Sequence, residues 1–273
     1  MKHQNSNLNV DKKFAARISA IIILSVIFAV TMAACSTATK PAETKPTETK
    51  PSETNKASAN NSSPNSTSTV SSSTSGDLAG TYAVSGAGAD GKTYQGEVTV
   101  TKRDAVYQMS WKLGAESYDG VAVQSGNTLA AAYTTGTDGK GCGAVIYKIN
   151  ADNSLEGKWG EWGVNSSGTE KAVPVGTVSN GVGTLDVSGT NADGSAYKGK
   201  LTVTKGANDV YQFAWDTGTK FIGTGVRMDK YLAAGSGAKQ CGFVIYEVKG
   251  DTLEGKWGIP GSTALGTEKA TKK

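Results

Sequence analysis

The sequence predicts an all-β protein with two tandem small barrels, each antiparallel, up-and-down and eight-stranded, after a disordered linker. The first reason is a duplication, because residues 155–160 return unchanged as residues 253–258. The second is an alternation of apolar and polar residues in short stretches separated by glycine-rich turns, without an apolar period of helical spacing. Closing such a meander removes both exposed edges, so a barrel is favoured, and a β-sandwich is the alternative.

The first repeat is predicted to contain eight strands, and the second repeat follows the same plan. They cover residues 80–85, 94–102, 106–113, 117–124, 128–133, 142–149, 155–162 and 168–173. In the third strand, Tyr107, Met109 and Trp111 share one face, and polar residues occupy the other. The two copies differ most between the fourth and sixth strands and in the loop after the seventh. These are the stretches where the repeats can bind different partners.

Four regions are predicted along the chain of 273 residues. They are a lipoprotein signal peptide at 1–34, a disordered tether at 35–77, a first barrel at 78–175 and a second barrel at 176–273. The tether is expected to stay solvated, because its Pro, Thr, Ser, Lys and Glu residues bury almost nothing apolar. The segment 174–180 contains Pro and Gly, and we interpret it as the hinge between the barrels.

The first 35 residues predict the cellular localisation of the protein. Basic residues end at Arg17, an apolar run covers 18–34, and small residues precede Cys35, which is the order of a secretory signal. The cysteine in this place resembles the lipobox of bacterial lipoproteins, with Met32 in the usual place of Leu. That resemblance implies diacylglyceryl and acyl groups on Cys35, including palmitate, and an extracytoplasmic anchor at the outer membrane or cell surface. An uncleaved transmembrane anchor is the alternative, although the run is short for it.

The charge distribution argues against a nucleic-acid partner. The formal net charge is +4, and the segment before Cys35 holds +3 of it, from four basic residues against one aspartate. The remaining +1 is spread over more than two hundred residues and forms no clustered basic face.

No catalytic residue, metal site or cofactor is predicted. The only histidine is His3, in the signal segment, so the mature chain lacks the commonest general base. The carboxylates that recur in both repeats are Asp90 with Asp193, Glu156 with Glu254, and Glu170 with Glu268. Asp-Gly at the first of these is typical of a hairpin turn, and Glu156 and Glu170 are expected on outward polar faces.

Cys142 and Cys241 occupy equivalent places at the start of the sixth strand of each repeat. Each is either a small, partly buried residue or one half of a disulfide between the repeats, which an oxidising compartment permits.

Aromatic residues are the remaining candidates for a binding site. Ten of them recur between the repeats: Tyr94, Tyr107, Trp111, Tyr147 and Trp159, and their counterparts Tyr197, Tyr211, Trp215, Tyr246 and Trp257. On a small barrel these either fill the core, which is favoured, or line a cavity for a ligand. Trp162 has no counterpart, so it is the candidate for a surface contact.

The repeated motifs resemble a family of small secreted bacterial β-proteins described as fibronectin-binding proteins. The matching motifs include Gly80-Thr81-Tyr82, Tyr107 with Trp111, Val145-Ile146-Tyr147 and Gly168-Thr169-Glu170. This resemblance implies binding to an extracellular or envelope protein. The strand plan is also similar to avidin and lipocalin barrels.

Three functions are compatible with these observations, and none is enzymatic. The leading one is binding of a surface or matrix protein, with duplication for avidity. The second is a small-molecule carrier that holds its ligand inside the barrels. The third is a structural or inhibitor role in the envelope.

Overall fold

The computed structural model describes residues 77–135, 138–237 and 241–273. The signal peptide, Cys35 and nearly all of the tether therefore lie outside the described residues. Within those ranges, no helix has the length and apolar character needed to cross a membrane.

The eight strands predicted for the first repeat are confirmed, most to within two residues at each end. They are β1 Gly80–Ala87, β2 Thr93–Arg103, β3 Val106–Leu113, β4 Glu116–Ser125, β5 Thr128–Thr135, β6 Cys142–Ile149, β7 Leu155–Glu161 and β8 Gly168–Ser179. The exception is β8, which continues six residues beyond its predicted end at Val173.

The second repeat contains the corresponding eight strands. They are β9 Val182–Thr190, β10 Ala196–Lys205, β11 Val210–Asp216, β12 Lys220–Met228, β13 Tyr231–Gly237, β14 Gly242–Lys249, β15 Thr252–Gly258 and β16 Gly266–Lys272. A 3₁₀ turn, Ala207–Asp209, precedes β11.

The strands form two closed, antiparallel, eight-stranded barrels, which confirms the predicted fold class. Barrel A consists of β1–β5 and β14–β16, and barrel B consists of β6–β13. The predicted domain limits, 78–175 and 176–273, are therefore wrong, because each barrel takes strands from both repeats. Barrel B is one continuous meander, inserted in the sequence between the two parts of barrel A.

The connection between β8 and β9 explains this exchange. Asn180 and Gly181 have φ of 52° and 76°, and Ser179 pairs with Val182, so these two residues form the tight turn of a hairpin. Asn-Gly is the strongest short signal for such a turn. Because a two-residue turn makes β8 and β9 neighbours in one sheet, the last strand of the first repeat must join the barrel of the second. The interpretation of 174–180 as a hinge is wrong.

The disulfide between the repeats is present. Cys142 and Cys241 are joined, with their Cα atoms 5.8 Å apart and 99 positions apart in the sequence. Cys142 begins β6 and Cys241 precedes β14, so the bond connects the two places where the chain passes from one barrel to the other.

Each barrel has its own interior core, and a third apolar cluster lies between the barrels. That third cluster contains Val121, Val123, Ala130, Ala132, Ala144, Ile146, Phe243 and Ile245, all with exposed fractions of 2% or less. Strands β4, β5, β6 and β14 are thus buried on both faces, which accounts for continuous apolar runs such as Ala130–Ala132. The outer faces of the two barrels pack against each other there.

Candidate functional site

A buried carboxylate lies in the interior of each barrel. Glu170 on β8 and Glu268 on β16 are equivalent, and each side chain is only 6% exposed. Their strands alternate regularly, with Gly168, Glu170 and Ala172 buried and the intervening Thr169 and Lys171 exposed. The expectation that Glu170 faces outward is therefore wrong, because it shares the phase of the inward residues.

In barrel A, three donors surround the carboxylate of Glu268. Oε1 accepts hydrogen bonds from the indole Nε1 of Trp111, at 3.1 Å, and from the hydroxyl of Tyr246. Oε2 accepts one from the hydroxyl of Tyr94, at 2.9 Å. Trp257 is also in this cluster, edge-on to Tyr94 with a centroid separation of 6.1 Å.

In barrel B, the same residue types make a different network. Glu170 accepts hydrogen bonds from the hydroxyl of Tyr197, at 2.8 Å, and from that of Tyr147. The indole Nε1 of Trp215 donates to the Tyr147 hydroxyl at 2.9 Å. The indole Nε1 of Trp159 donates to the Tyr197 hydroxyl at 3.2 Å. Both tryptophans thus support the tyrosines, and Trp215 also lies close enough to Glu170 to lower its pKa as a donor.

Burial raises the pKa of both carboxyl groups above the ordinary value for glutamate, and the hydrogen bonds from the tyrosines act in the opposite direction. Burial, reinforced by the charge of the nearby glutamate, raises the pKa of Tyr147 and Tyr246 well above the ordinary tyrosine value. The hydroxyl groups therefore stay protonated and act as donors to the acid.

A cavity of about 460 Å³ opens into barrel B above this network. Its inner wall includes Glu170 and the four aromatic side chains that hold the acid, and its polar rim includes Asn191, Thr217, Thr219 and Ser236. The size and the mixture of aromatic walls with a few convergent polar groups are typical of a small-molecule site.

In barrel A, one side chain fills the corresponding space. Tyr133 pairs across the sheet with Gly242, and its ring lies so close over this glycine that a Cβ there would overlap it. The equivalent pair in barrel B is Ser236 and Gly143, and no ring covers that glycine. The cavity thus occupies the place of an absent tyrosine ring.

A second aromatic residue differs at the mouth of each barrel, which is the end where Tyr133 lies in barrel A and Ser236 lies in barrel B. In barrel A, Tyr118 packs edge-on against Tyr133 with a centroid separation of 5.7 Å. Phe221 takes the equivalent place beside Trp215 in barrel B, lines the cavity, and is 45% exposed. Barrel A therefore closes its mouth with two tyrosines, whereas barrel B leaves an apolar ring at an open rim.

The structure divides the ten predicted aromatics into two groups. Eight surround the buried acids, four in each barrel. The four in barrel A belong to the packed core, and the four in barrel B line the cavity. Tyr107 and Tyr211 lie apart from the acids: the Tyr107 hydroxyl donates to Gln124 at 3.2 Å, and the Tyr211 ring lies 5.9 Å from the ammonium of Lys205.

Trp162 is half-buried and lies at the rim of the barrel B cavity. Its ring packs directly on Gly139, and its backbone N–H donates to the carbonyl of Cys142 at 3.0 Å. It also borders a smaller cavity of about 160 Å³. Its prediction as a surface contact for a protein partner stays a prediction.

Sequence reasoning named the two acids as recurring carboxylates but placed Glu170 outside, and it missed Ser236. The strand phase already carried the signal for the acids, because Glu170 alternates with outward Thr169 and Lys171. The sequence also contained a signal for Ser236. Ser236 follows Ala234 by two positions, as Tyr133 follows Ala131, so the second repeat has serine where the first has tyrosine.

Among the described residues, no group of three or more His, Cys, Asp or Glu side chains could hold a metal ion. No protein-family model, no curated protein and no solved structure matches this chain. The resemblance to fibronectin-binding proteins therefore stays a prediction.

Proposed function

We propose that this protein binds a small molecule in the cavity of barrel B and presents that site on a lipid-anchored tether outside the cytoplasm. The observation that carries the proposal is the open volume of about 460 Å³ above the buried Glu170. It combines aromatic walls with a few polar groups that could orient a ligand.

The barrel supplies a site that needs little reorganisation. Its eight strands close on themselves, and the disulfide joins Cys142 at the rim to Cys241 of the other crossover. The hydrogen bonds of Tyr147 and Tyr197 hold the bottom of the cavity. A preformed site loses little conformational entropy when a ligand binds, which favours affinity.

Membrane attachment at Cys35 is the second part of the proposal. The tether would hold the barrels away from the envelope surface. A Cys35→Ser variant should be released from membranes during fractionation, while the wild-type protein stays with them. A variant that still partitions with membranes would contradict lipid anchoring.

Binding of a surface or matrix protein, the leading expectation from the sequence, stays a prediction. Avidity from duplication needs two equivalent binding surfaces, and the mouths of the two barrels differ at Tyr133 and Ser236. Immobilised matrix proteins, fibronectin among them, are the direct test of that alternative.

The tryptophans offer a direct test of the cavity. The chain has five, and each gives one indole N–H signal in a ¹H–¹⁵N spectrum. A library of small amphiphilic compounds should contain ligands that raise the melting temperature, because they bind only the folded state. Such a ligand should shift the indole signals of Trp159 and Trp215 and leave those of Trp111 and Trp257 unchanged.

Barrel A thus serves as the internal control for barrel B. If no compound stabilises the protein, or if hits shift all five signals equally, the cavity is not the binding site.

A further inference from the structure

We propose that the ligand of barrel B is an organic cation with a protonated amine that donates hydrogen bonds to Glu170. This inference rests on the proposed function, since it names the chemistry of the ligand for the same cavity. Three features of the described residues carry it: an acid without a cation, an unused acceptor on that acid, and aromatic walls around it.

Glu170 has no cationic partner among the residues that the structure describes. The ion pairs in those ranges involve exposed or half-exposed carboxylates, such as Asp186 with Lys200 at 2.7 Å and Glu254 with Lys269 at 2.9 Å. A carboxylate in a poorly solvated interior is costly unless it is paired or well hydrogen-bonded. A ligand cation would compensate the charge of Glu170 from the cavity side.

The carboxylate of Glu170 has room for a further donor from the cavity side, because the protein does not fill all of its lone-pair sites. Trp111 donates directly to Glu268 at 3.1 Å, whereas the equivalent Trp215 donates to the hydroxyl of Tyr147 at 2.9 Å. Glu170 accepts hydrogen bonds from two tyrosine hydroxyls, and Trp215 is close enough to lower the pKa of Glu170 as a third donor. A carboxylate has about four lone-pair sites, so ammonium N–H groups can occupy those that remain.

The aromatic side chains favour the same ligand. Trp159, Trp215 and Tyr197 line the cavity next to the acid, and aromatic rings attract cations through their quadrupoles. An anionic ligand would face the repulsion of Glu170. The geometry thus selects positive charge at the bottom of the cavity.

The rest of the cavity indicates an apolar body for the ligand. Val145 belongs to the wall, and Phe221 and Trp162 lie nearer the rim. We therefore expect an aromatic or aliphatic amine, with the ammonium inside and the apolar part against these side chains.

The experiment compares three probes of similar shape that are positively charged, neutral and negatively charged. The probes are 2-phenylethylamine, the neutral 2-phenylethanol and the anion phenylacetate, with binding measured by calorimetry near pH 7.5. A charge-assisted hydrogen bond should make the amine bind about tenfold to hundredfold more tightly than the alcohol. Equal affinities of amine and alcohol, or the tightest binding by the anion, would overturn the inference.

Two matched variants locate the effect. Glu170→Gln should abolish the preference for the amine, because an amide cannot pair with the ammonium charge. Glu268→Gln removes the same buried acid from barrel A and should keep the preference. Its retention shows that loss of a buried glutamate does not by itself disturb binding. Persistence of the preference in Glu170→Gln would overturn the inference.

The outcomes separate this inference from the proposed function. If the alcohol binds as tightly as the amine and shifts the Trp159 signal, the cavity binds small molecules without selecting a cation. If no probe and no library compound binds, both proposals fail together.

Discussion

Barrels A and B share one strand plan and one buried acid, yet one interior is filled and the other is open. Glu268 and Glu170 hold the same position, and each is surrounded by two tyrosines and two tryptophans. What differs is the mouth, where Tyr133 in barrel A corresponds to Ser236 in barrel B. The acid network is common to both barrels, and the mouth decides whether a ligand can reach it.

The barrels also differ in how the chain closes them. Barrel B is a continuous meander, whereas barrel A is assembled from segments on either side of it. Residues 142 and 241 mark the ends of the insertion and carry the disulfide. In the folded protein, barrel B spans the chain between the two parts of barrel A.

The largest effect is expected from removing this disulfide. A Cys142→Ser/Cys241→Ser double variant should lose about 2–4 kcal/mol of unfolding free energy, because the bond closes a loop of nearly one hundred residues in the unfolded chain. Urea denaturation measures the loss, with the wild-type protein under reducing conditions as the control. An unchanged midpoint would mean that barrel B holds the chain ends together without the bond.

Ser236→Tyr should close barrel B. The new ring would lie over Gly143 as Tyr133 lies over Gly242, so ligand affinity should fall by more than about one hundredfold, roughly 3 kcal/mol. Calorimetry with a ligand from the thermal screen measures the loss. Ser188→Tyr, on the exposed outer face of barrel B, is the matched control and should bind normally. Unchanged affinity in Ser236→Tyr would exclude this mouth as the entrance.

Tyr133→Ser should open barrel A. Loss of the packed ring should reduce the free energy of unfolding by about 2–3 kcal/mol, as large-to-small substitutions in cores do. The variant should also bind a second equivalent of ligand, with new shifts at the Trp111 and Trp257 indoles. A stoichiometry of one in a folded variant would show that the tyrosine alone does not distinguish the barrels.

The pH dependence of stability should distinguish the two acids. Each folded-state pKa is raised above the unfolded value, so each acid stabilises the fold at low pH, and this contribution disappears as pH rises through the raised pKa. Glu268→Gln should flatten this dependence, and Glu170→Gln should flatten it less, because the acid of Glu170 borders an open cavity. Thermal melts between pH 4 and pH 9, roughly spanning this transition, measure both. Identical profiles for the two variants would contradict the difference in enclosure.

The smallest effect is expected at Trp162. Trp162→Ala should weaken ligand binding less than about fivefold, since a rim contact contributes under about 1 kcal/mol. Ile259→Ala, in the corresponding loop of barrel A, is the control and should leave binding unchanged. A loss above about one hundredfold would place the ligand at the rim and not beside Glu170.

The strand content was predictable from local pattern. Alternation in β3, where Tyr107, Met109 and Trp111 face inward, reports a half-buried strand without knowledge of its neighbours. The same reasoning failed at Glu170, because an ionisable residue was expected outside although its phase was inward. The acid is tolerated there because Tyr147 and Tyr197 donate to it, and those donors come from distant strands.

The sequence by itself determined the class of fold and the duplication, because alternation and repetition are local properties that each segment carries alone. It also contained the Asn180-Gly181 turn, the one local signal that joins β8 to β9. The tertiary structure decided which strands share a barrel, since two similar repeats offer equivalent partners to each strand. It also decided where the cavity lies, because an open volume depends on side chains from several strands and can follow from one missing ring.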